Sequence, residues 1–310
     1  MVADRTWPGL LLVLTGTICW GVGGTVSQYL FQEADVPVTW LVSVRLLLSG
    51  AGLLFLAWMF RGRAAVVRVV RDRRALGSLI LFGIFGMLGV QYTYMASISE
   101  GNAAVATLLQ YSAPVFIIAW VLLRQPAEVT KREGTAVMMA LSGTFLLLTN
   151  GSVSALSVPV PAVLWGLLSG AALAFYTLYA GPLLREWGSM TVIGWAMLIG
   201  GAAVAFLHPP WQIDTSAWTL TVLAYFLFVV FFGTMLAFWF YLESLRFLKP
   251  QVTSVLGSME PLSAVVTSIV WLQIAFGGWQ MLGGALILGM TFYLTLGKPP
   301  EKAGQEEETA

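Results

Sequence analysis

The feature that most constrains this chain is a series of ten apolar runs, each long enough to cross a bilayer as a helix. A helix needs about 20 apolar residues to span roughly 30 Å of hydrocarbon. Of the 310 residues, 58% are hydrophobic and 10% are charged, whereas roughly 25% are charged in an ordinary soluble domain. The runs predict a polytopic membrane protein with spans at 9–30, 36–60, 75–97, 101–124, 134–150, 161–184, 189–207, 217–242, 250–273 and 277–297.

The apolar runs are continuous, which favours α-helices over the strands of a membrane barrel. Such strands alternate with a period of two over about 10 residues. The first run follows Arg5 and has no small-residue cleavage pattern near its end, so we expect a retained helix rather than a signal peptide. The predicted fold class is an all-α membrane protein of ten transmembrane helices.

Basic residues are distributed very unevenly between the two sides of the predicted membrane. Fifteen of the 16 lysines and arginines fall on the side of the N-terminus, and the sixteenth, Arg45, lies inside the second span. Cytoplasmic loops of membrane proteins carry the excess of basic residues. We therefore expect both termini in the cytoplasm, with the chain in a bacterial inner membrane. The acidic, proline-led segment 298–310 is expected to be a disordered cytoplasmic tail.

The second half of the sequence repeats the first. A constant shift of 147 residues places Tyr241 on Tyr94 and Pro261 on Pro114, so one shift aligns two consecutive spans. The repeat predicts two five-helix units, 1–150 and 151–297. Because each unit has an odd number of spans, the second enters the membrane upside down relative to the first. Inverted repeats of this kind are typical of secondary transporters, whose substrate site lies near the midplane between the units.

Several motifs together resemble a known family of carriers. They are the "WG" of the first span (Trp20-Gly21), "VRLLLSG" around Arg45, "YMASISEGNAAVATLLQYSAPVFIIAWVLLRQPAE" and "YLESLRFLKPQVTSVLGSMEPLSAVVTSIV". The chain is similar to the ten-helix EamA-type transporters of the drug/metabolite transporter superfamily over nearly its whole length. The resemblance implies a basket of helices that exports amino acids or other metabolites. It also implies a cavity lined by spans 1, 3, 4, 6, 8 and 9, with spans 5 and 10 as peripheral supports.

One departure from related carriers bears on the mechanism. The four-helix multidrug relatives carry an essential glutamate in their first helix, and the first span here has none. The resemblance therefore does not imply proton-coupled drug export by that scheme.

Polar and aromatic side chains recur at helical spacing within the spans, which puts them on shared faces. Polar groups in hydrocarbon must face protein or water. These faces predict a substrate path, although aromatic and small residues can equally serve only to pack helices together. The candidate substrate-binding residues are Trp20, Gln91, Tyr94, Gln110, Tyr111, Trp165, Tyr176, Tyr179, Tyr241, Ser258 and Glu260.

The repeated prolines are candidate hinges. A proline lacks the N–H that would bond the carbonyl four residues earlier, so Pro114 and Pro261 free the carbonyls of Gln110 and Gly257. Their matching positions suggest paired bends that move during transport. A static kink needed only for packing is the alternative interpretation.

Glu260 is a carboxyl group near the middle of the ninth span, and it replaces Ala113 of the first repeat. Intramembrane carboxyl groups face the bundle interior, and they are either paired or neutral. Three interpretations remain open. Glu260 is structural, through an ion pair with Arg45 or bonds to nearby hydroxyls; it holds a cationic or amino group of the substrate; or it carries a coupled proton.

The predicted function is secondary transport, in the export direction, of small neutral or zwitterionic metabolites such as apolar or aromatic amino acids. Phosphorylated substrates would require Lys or Arg clamps, and the predicted path has few cations. Proton-coupled export of drugs or cationic metabolites is the alternative within the same class. An intramembrane enzyme is the alternative from another class, and the chain lacks the HExxH, GxSxG and Walker A patterns.

The expected partners are a small-molecule substrate and the lipid bilayer, with a coupled proton as an open alternative. We expect no cofactor, no metal, no nucleic acid and no obligate protein partner.

Overall fold

Ten long helices make up most of the part of the chain that the structure describes. The computed structural model describes residues 6–124, 130–152, 156–216 and 218–296, apart from the side chain at position 251, and within these ranges the chain forms helices without strands. The predicted tail at 298–310 lies outside the described residues. The helices are α1 Thr6–Gln32, α2 Val38–Arg61, α3 Arg73–Glu100, α4 Ala103–Arg124, α5 Lys131–Thr149, α6 Val160–Trp187, α7 Ser189–Leu207, α8 Leu220–Ser244, α9 Pro250–Gly257 with Met259–Val270, and α10 Gly278–Leu296.

The helices confirm the fold class predicted from the apolar runs. Nine of these described helices are long and apolar enough to cross a membrane by themselves. The tenth, α5, begins with the charged residues Lys131, Arg132 and Glu133, which lower its apolar character, but its 19 residues reach about 28 Å at 1.5 Å per residue. The ends of all ten helices lie within three residues of the predicted runs.

The inverted repeat is visible in the packing. α1 packs on α8 and α9, and its counterpart α6 packs in the same way on α3 and α4. The remaining helices pair with their own counterparts, α2 with α7 and α5 with α10. Both pairs meet through glycines: a Cβ built on Gly50 would lie 2.8 Å from the carbonyl oxygen of Gly194, and one on Gly143 would lie 2.8 Å from that of Gly283. Small residues allow such close contact between membrane helices.

α3 and α8 each contain a π-helical segment at the same place in the repeat. The segments are Phe82–Leu88 and Phe231–Leu236, and the shift of 147 places Gly233 on Gly86. In α8 this segment brings Gly233 against Gly23 of α1, where a Cβ built on Gly23 would lie 2.9 Å from the Gly233 Cα. Single-turn π segments frequently occur at functional sites, and both of these border the centre of the bundle.

α4 and α9 are interrupted just before the repeated prolines. In α4 the helix gives way to turns at Tyr111 and Ser112, and in α9 to a turn at Ser258. The prolines at 114 and 261 follow within three residues and supply no N–H to the helical ladder. The sequence therefore predicted the position of both interruptions, and their role as moving hinges stays a prediction.

Candidate functional site

A cavity of about 510 Å³ lies at the centre of the bundle, between the two repeats. Side chains of α1, α3, α4, α6, α8 and α9 form most of its wall, which agrees with the set of helices that the family resemblance implied. α2, α7 and α10 add Arg45, Ile193 and Thr291, which the resemblance did not imply.

Eight of the eleven predicted substrate-binding residues line this cavity, and so does Pro114. Helical spacing therefore identified a shared surface, although it could not show that the surface binds a substrate. The eight are Trp20, Gln91, Tyr94, Gln110, Tyr111, Tyr176, Tyr241 and Glu260.

Three predicted residues lie away from the cavity wall, as does Pro261. The ring of Trp165 packs edge to face against Tyr92, with 5.8 Å between centroids. Tyr179 stacks on Phe175 at 5.2 Å. Ser258 is buried within the interruption of α9, and its hydroxyl has no hydrogen-bond partner among the described residues.

The cavity extends from the centre of the bundle toward the end that holds the start of α1. Leu184 near the end of α6 and Leu245 just after α8 both line it. Both lie at the end of the bundle where Gly9 meets Phe247, with 2.7 Å from a Cβ built on Gly9 to the Phe247 Cβ. Leu245 is also exposed at the surface of the protein, so we call this the open end.

The opposite end is closed by contacts between the repeats. The hydroxyl oxygens of Thr25 on α1 and Thr267 on α9 are 2.7 Å apart. One turn further along α1, Tyr29 stacks on Trp271, and Tyr225 of α8 packs edge to face against both rings. These five residues form what we call the closed end, and a solute in the cavity could leave by this route only if they separated.

Aromatic rings form one wall of the cavity. Trp20 packs edge to face against Phe238 with 4.8 Å between centroids, and it lies tilted against Tyr241 at 5.2 Å. Tyr176 packs on Phe82 at 4.9 Å. A mostly apolar wall with a few placed polar groups is the usual construction of a small-molecule site.

The polar side chains of the cavity are held by neighbouring helices. The Tyr94 hydroxyl shares a 2.7 Å hydrogen bond with Thr107, and the Gln110 amide donates to Ser169 at 2.7 Å. Ser169 belongs to α6, so the second of these bonds joins the two repeats. Such bonds fix the direction in which each side chain faces the cavity.

Tyr111 connects the two interrupted helices. Its hydroxyl donates to the Gly257 carbonyl at 2.8 Å and lies 3.3 Å from Glu260 Oε2. The Gly257 carbonyl is the one that Pro261 frees from the α9 ladder. A backbone group exposed by the proline of one repeat is therefore satisfied by a side chain of the other repeat.

Arg45 and Glu260 bring opposite charges to the cavity without pairing with each other. The Arg45 guanidinium donates to the side-chain oxygen of Gln91, and the Glu260 carboxyl contacts Tyr111. Within the described ranges, the ion pair found is between Arg246 and Glu243, outside the cavity. The structural interpretation of Glu260 through an ion pair with Arg45 is therefore wrong, and its contact with a hydroxyl remains.

Replacing Tyr111 by Phe should destabilise the protein by about 1–3 kcal/mol, because the buried Gly257 carbonyl would lose its partner. The measurement is the thermal midpoint in detergent. Tyr92→Phe is the matched control, since the Tyr92 hydroxyl makes no hydrogen bond to the described part of the chain. Equal midpoints for the two variants would contradict the assigned role of Tyr111.

The cavity is also lined by residues outside the predicted substrate-binding set, among them Arg45, Met87, Met95 and Ser254. Arg45 carried a usable signal, because it is the one basic residue inside a predicted span. Across the described ranges, no group of three His, Cys, Asp or Glu side chains is placed to hold a metal ion.

Comparison with known proteins identifies the family of this chain. The model of the EamA-like transporter family matches residues 7–149 and again 160–296. The uncharacterized inner membrane transporter YicL of Salmonella typhimurium is 33% identical over 291 residues, covering 94% of this chain and 96% of the relative. The threonine/homoserine exporter RhtA of Escherichia coli K12 is 24% identical over 294 residues, covering 94% and 92%.

A solved crystal structure shares the fold with a TM-score of 0.61 and 18% sequence identity, and the match covers 95% of this chain and 97% of the other. Because the matched family and relatives are transporters, the protein is a transporter of small molecules and not an enzyme. The chain belongs to the EamA-like transporter family, whose model matches it once in each half.

Proposed function

We propose that this protein is a secondary transporter that exports small neutral or zwitterionic metabolites, above all amino acids, by alternating access. The observation that carries the proposal is the central cavity, which both repeats enclose and which one end of the bundle closes. Carriers built from inverted repeats bind substrate at such a midplane site and exchange one accessible side for the other. The prolines at 114 and 261 serve as the paired hinges in this proposal.

The proposed orientation places the open end in the cytoplasm. The helix Arg63–Arg71 exposes its three arginines at that end, and 15 of the 16 basic residues fall on the same side of the predicted membrane. Basic residues favour the cytoplasmic side. An exporter loads its substrate from the cytoplasm, so the structure corresponds to the loading state in this scheme.

The proposed substrate class follows from the walls of the cavity. A volume of about 510 Å³ falls within the roughly 300–1,000 Å³ of small-molecule sites. Its rings, amides and hydroxyls suit an uncharged or zwitterionic solute, and one arginine does not make the clamp that a phosphorylated solute needs. Relatives named threonine/homoserine exporters support amino acids as the first class to test.

The test is efflux from proteoliposomes loaded with labelled threonine, homoserine, leucine or phenylalanine. We expect at least one of these amino acids to leave clearly faster than from protein-free liposomes. Because an alternating-access carrier presents one site to each side in turn, unlabelled amino acid added outside should accelerate the loss of label by exchange. Efflux no faster than the protein-free rate for every amino acid would overturn the amino acid proposal.

A second candidate function is proton-coupled export of drugs or cationic metabolites. The observation that favours it is Glu260, a carboxyl group that faces the cavity at membrane depth. The same liposomes distinguish the two candidates when they are loaded with a cationic dye and given a proton gradient. Gradient-driven movement of the dye, with no movement of amino acids, would establish the second candidate in place of the first.

A further inference from the structure

Two oppositely charged side chains of the cavity come from different repeats and do not pair with each other. Arg45 lies on α2 of the first repeat, and Glu260 lies on α9 of the second. Tyr94 lines the same cavity as both. Intramembrane charges are costly, and in most proteins they pair with one another or with backbone carbonyls. Because Arg45 and Glu260 do not pair, both remain available to bind a ligand in the cavity.

The Arg45 guanidinium has donors that are not used within the described part of the chain. It is 3% exposed and one of its terminal nitrogens donates to Gln91, whereas its Nε has no partner among the described residues. A guanidinium has five N–H donors in a planar fork. This fork matches the two oxygens of a carboxylate. Gln91 positions the fork by accepting one of its hydrogens.

The Glu260 carboxyl also keeps a free acceptor. Its Oε2 lies 3.3 Å from the Tyr111 hydroxyl, and its Oε1 makes no hydrogen bond within the described part of the chain. The Tyr111 hydroxyl has one hydrogen, which it donates to the Gly257 carbonyl, so the carboxyl group keeps its capacity to bind donors of a ligand. An ammonium group, with three donors and a full positive charge, would satisfy both oxygens.

We propose that Arg45 and Glu260 are the two poles of a receptor for a zwitterion that carries one carboxylate and one ammonium group. The carboxylate of the ligand binds the Arg45 fork, and its ammonium group binds Glu260. The aromatic wall at Trp20 and Tyr241 packs against the rest of the ligand. This inference rests on the proposed function and narrows its substrate class from neutral or zwitterionic solutes to zwitterions.

The experiment measures binding to the purified full-length protein by calorimetry, independently of transport. The probes are three forms of whichever amino acid binds wild type best: the amino acid, its amide, which lacks the carboxylate, and its N-acetyl derivative, which lacks the ammonium. Glu260→Gln should weaken binding of the amino acid at least about tenfold and leave the N-acetyl form unchanged. Arg45→Gln should weaken the amino acid similarly and leave the amide unchanged.

Two further variants keep the test decisive. Arg45→Lys retains the charge without the fork and should lose part of the affinity for the carboxylate. Arg246→Gln removes a positive charge from the exposed ion pair outside the cavity and should bind all three probes as wild type does. Variants are compared only if their thermal midpoints show folded protein, and Arg45→Lys replaces Arg45→Gln if the latter does not fold.

In the expected result, Glu260→Gln spares the N-acetyl form and Arg45→Gln spares the amide, and we call this the crossed pattern. It tests the zwitterion receptor separately from the proposed export function. Equal losses for all three probes, an effect of Glu260→Gln alone, or no binding of any amino acid to wild type would overturn the zwitterion receptor. The crossed pattern together with no efflux from liposomes would support the receptor and refute the proposed export function.

Discussion

Joining α1 to α9 at the closed end by a disulfide should abolish transport. The pair is Thr25→Cys with Thr267→Cys, placed in a chain whose only native cysteine, Cys19, is replaced by Ala. The two threonine oxygens are 2.7 Å apart, which is compatible with the Cβ separation of about 3.5–4.5 Å that a disulfide requires. Because substrate can leave through the closed end only if α1 and α9 separate, the bond should hold the carrier in the loading state.

The measurement is amino acid efflux from proteoliposomes before oxidation, after oxidation and after addition of a reductant. We expect a loss of at least about tenfold on oxidation, since a disulfide removes a conformational state rather than weakening it, and recovery on reduction. The two single-cysteine variants, treated with the same oxidant, should keep their rate. Full transport by completely cross-linked protein would show that the exit route lies elsewhere.

The transmembrane helices could be predicted from sequence because the signal for them is local. A segment that crosses hydrocarbon must satisfy its own backbone hydrogen bonds, so a long continuous apolar run forms a helix. The same reasoning placed the interruptions before Pro114 and Pro261, since the missing N–H acts within one turn. The repeat could also be predicted, because Tyr94 and Tyr241 are separated by the same 147 residues as Pro114 and Pro261.

The faces of the helices could be predicted only in part. Trp165, Tyr176 and Tyr179 share one stripe of α6, yet Tyr176 alone lines the cavity. Helical spacing fixes the direction of a side chain but not the neighbour that covers it. Tyr92 of α3 covers Trp165, and this contact depends on how the two helices pack. Tyr179 stacks instead on Phe175, one turn earlier on α6 itself.

The π segments and the partner of Glu260 had no signal in the sequence. Glycines at 83, 86 and 89 predict close packing, and Gly83 does meet Ile199 of α7, but they do not indicate the wider turn of a π segment. Arg45 and Glu260 lie at similar predicted depth, which made an ion pair reasonable. Depth in the membrane does not determine the direction in which a side chain points from its helix, and Arg45 donates to Gln91 instead.

Replacing Gly21 by Ala should destabilise the protein and loosen the contact between α1 and α9. A Cβ built on Gly21 would clash with the carbonyl oxygen of Glu260 and would lie 2.8 Å from the backbone nitrogen of Ala264. Both are backbone atoms, so α9 itself must move away to make room. Overpacking of this kind typically costs about 1–3 kcal/mol. We expect a clearly lower thermal midpoint in detergent.

Gly77→Ala is the matched control for Gly21→Ala, because a Cβ built on Gly77 meets no heavy atom within 4 Å. Its midpoint should equal or slightly exceed that of wild type, since alanine is more stable than glycine in the interior of a helix. In the background of the cysteine pair at positions 25 and 267, Gly21→Ala should also slow disulfide formation, because it pushes apart the helices that the bond must join. Unchanged stability together with unchanged cross-linking would contradict the close approach of α1 and α9, and with it the assignment of this contact as the barrier that a substrate must pass.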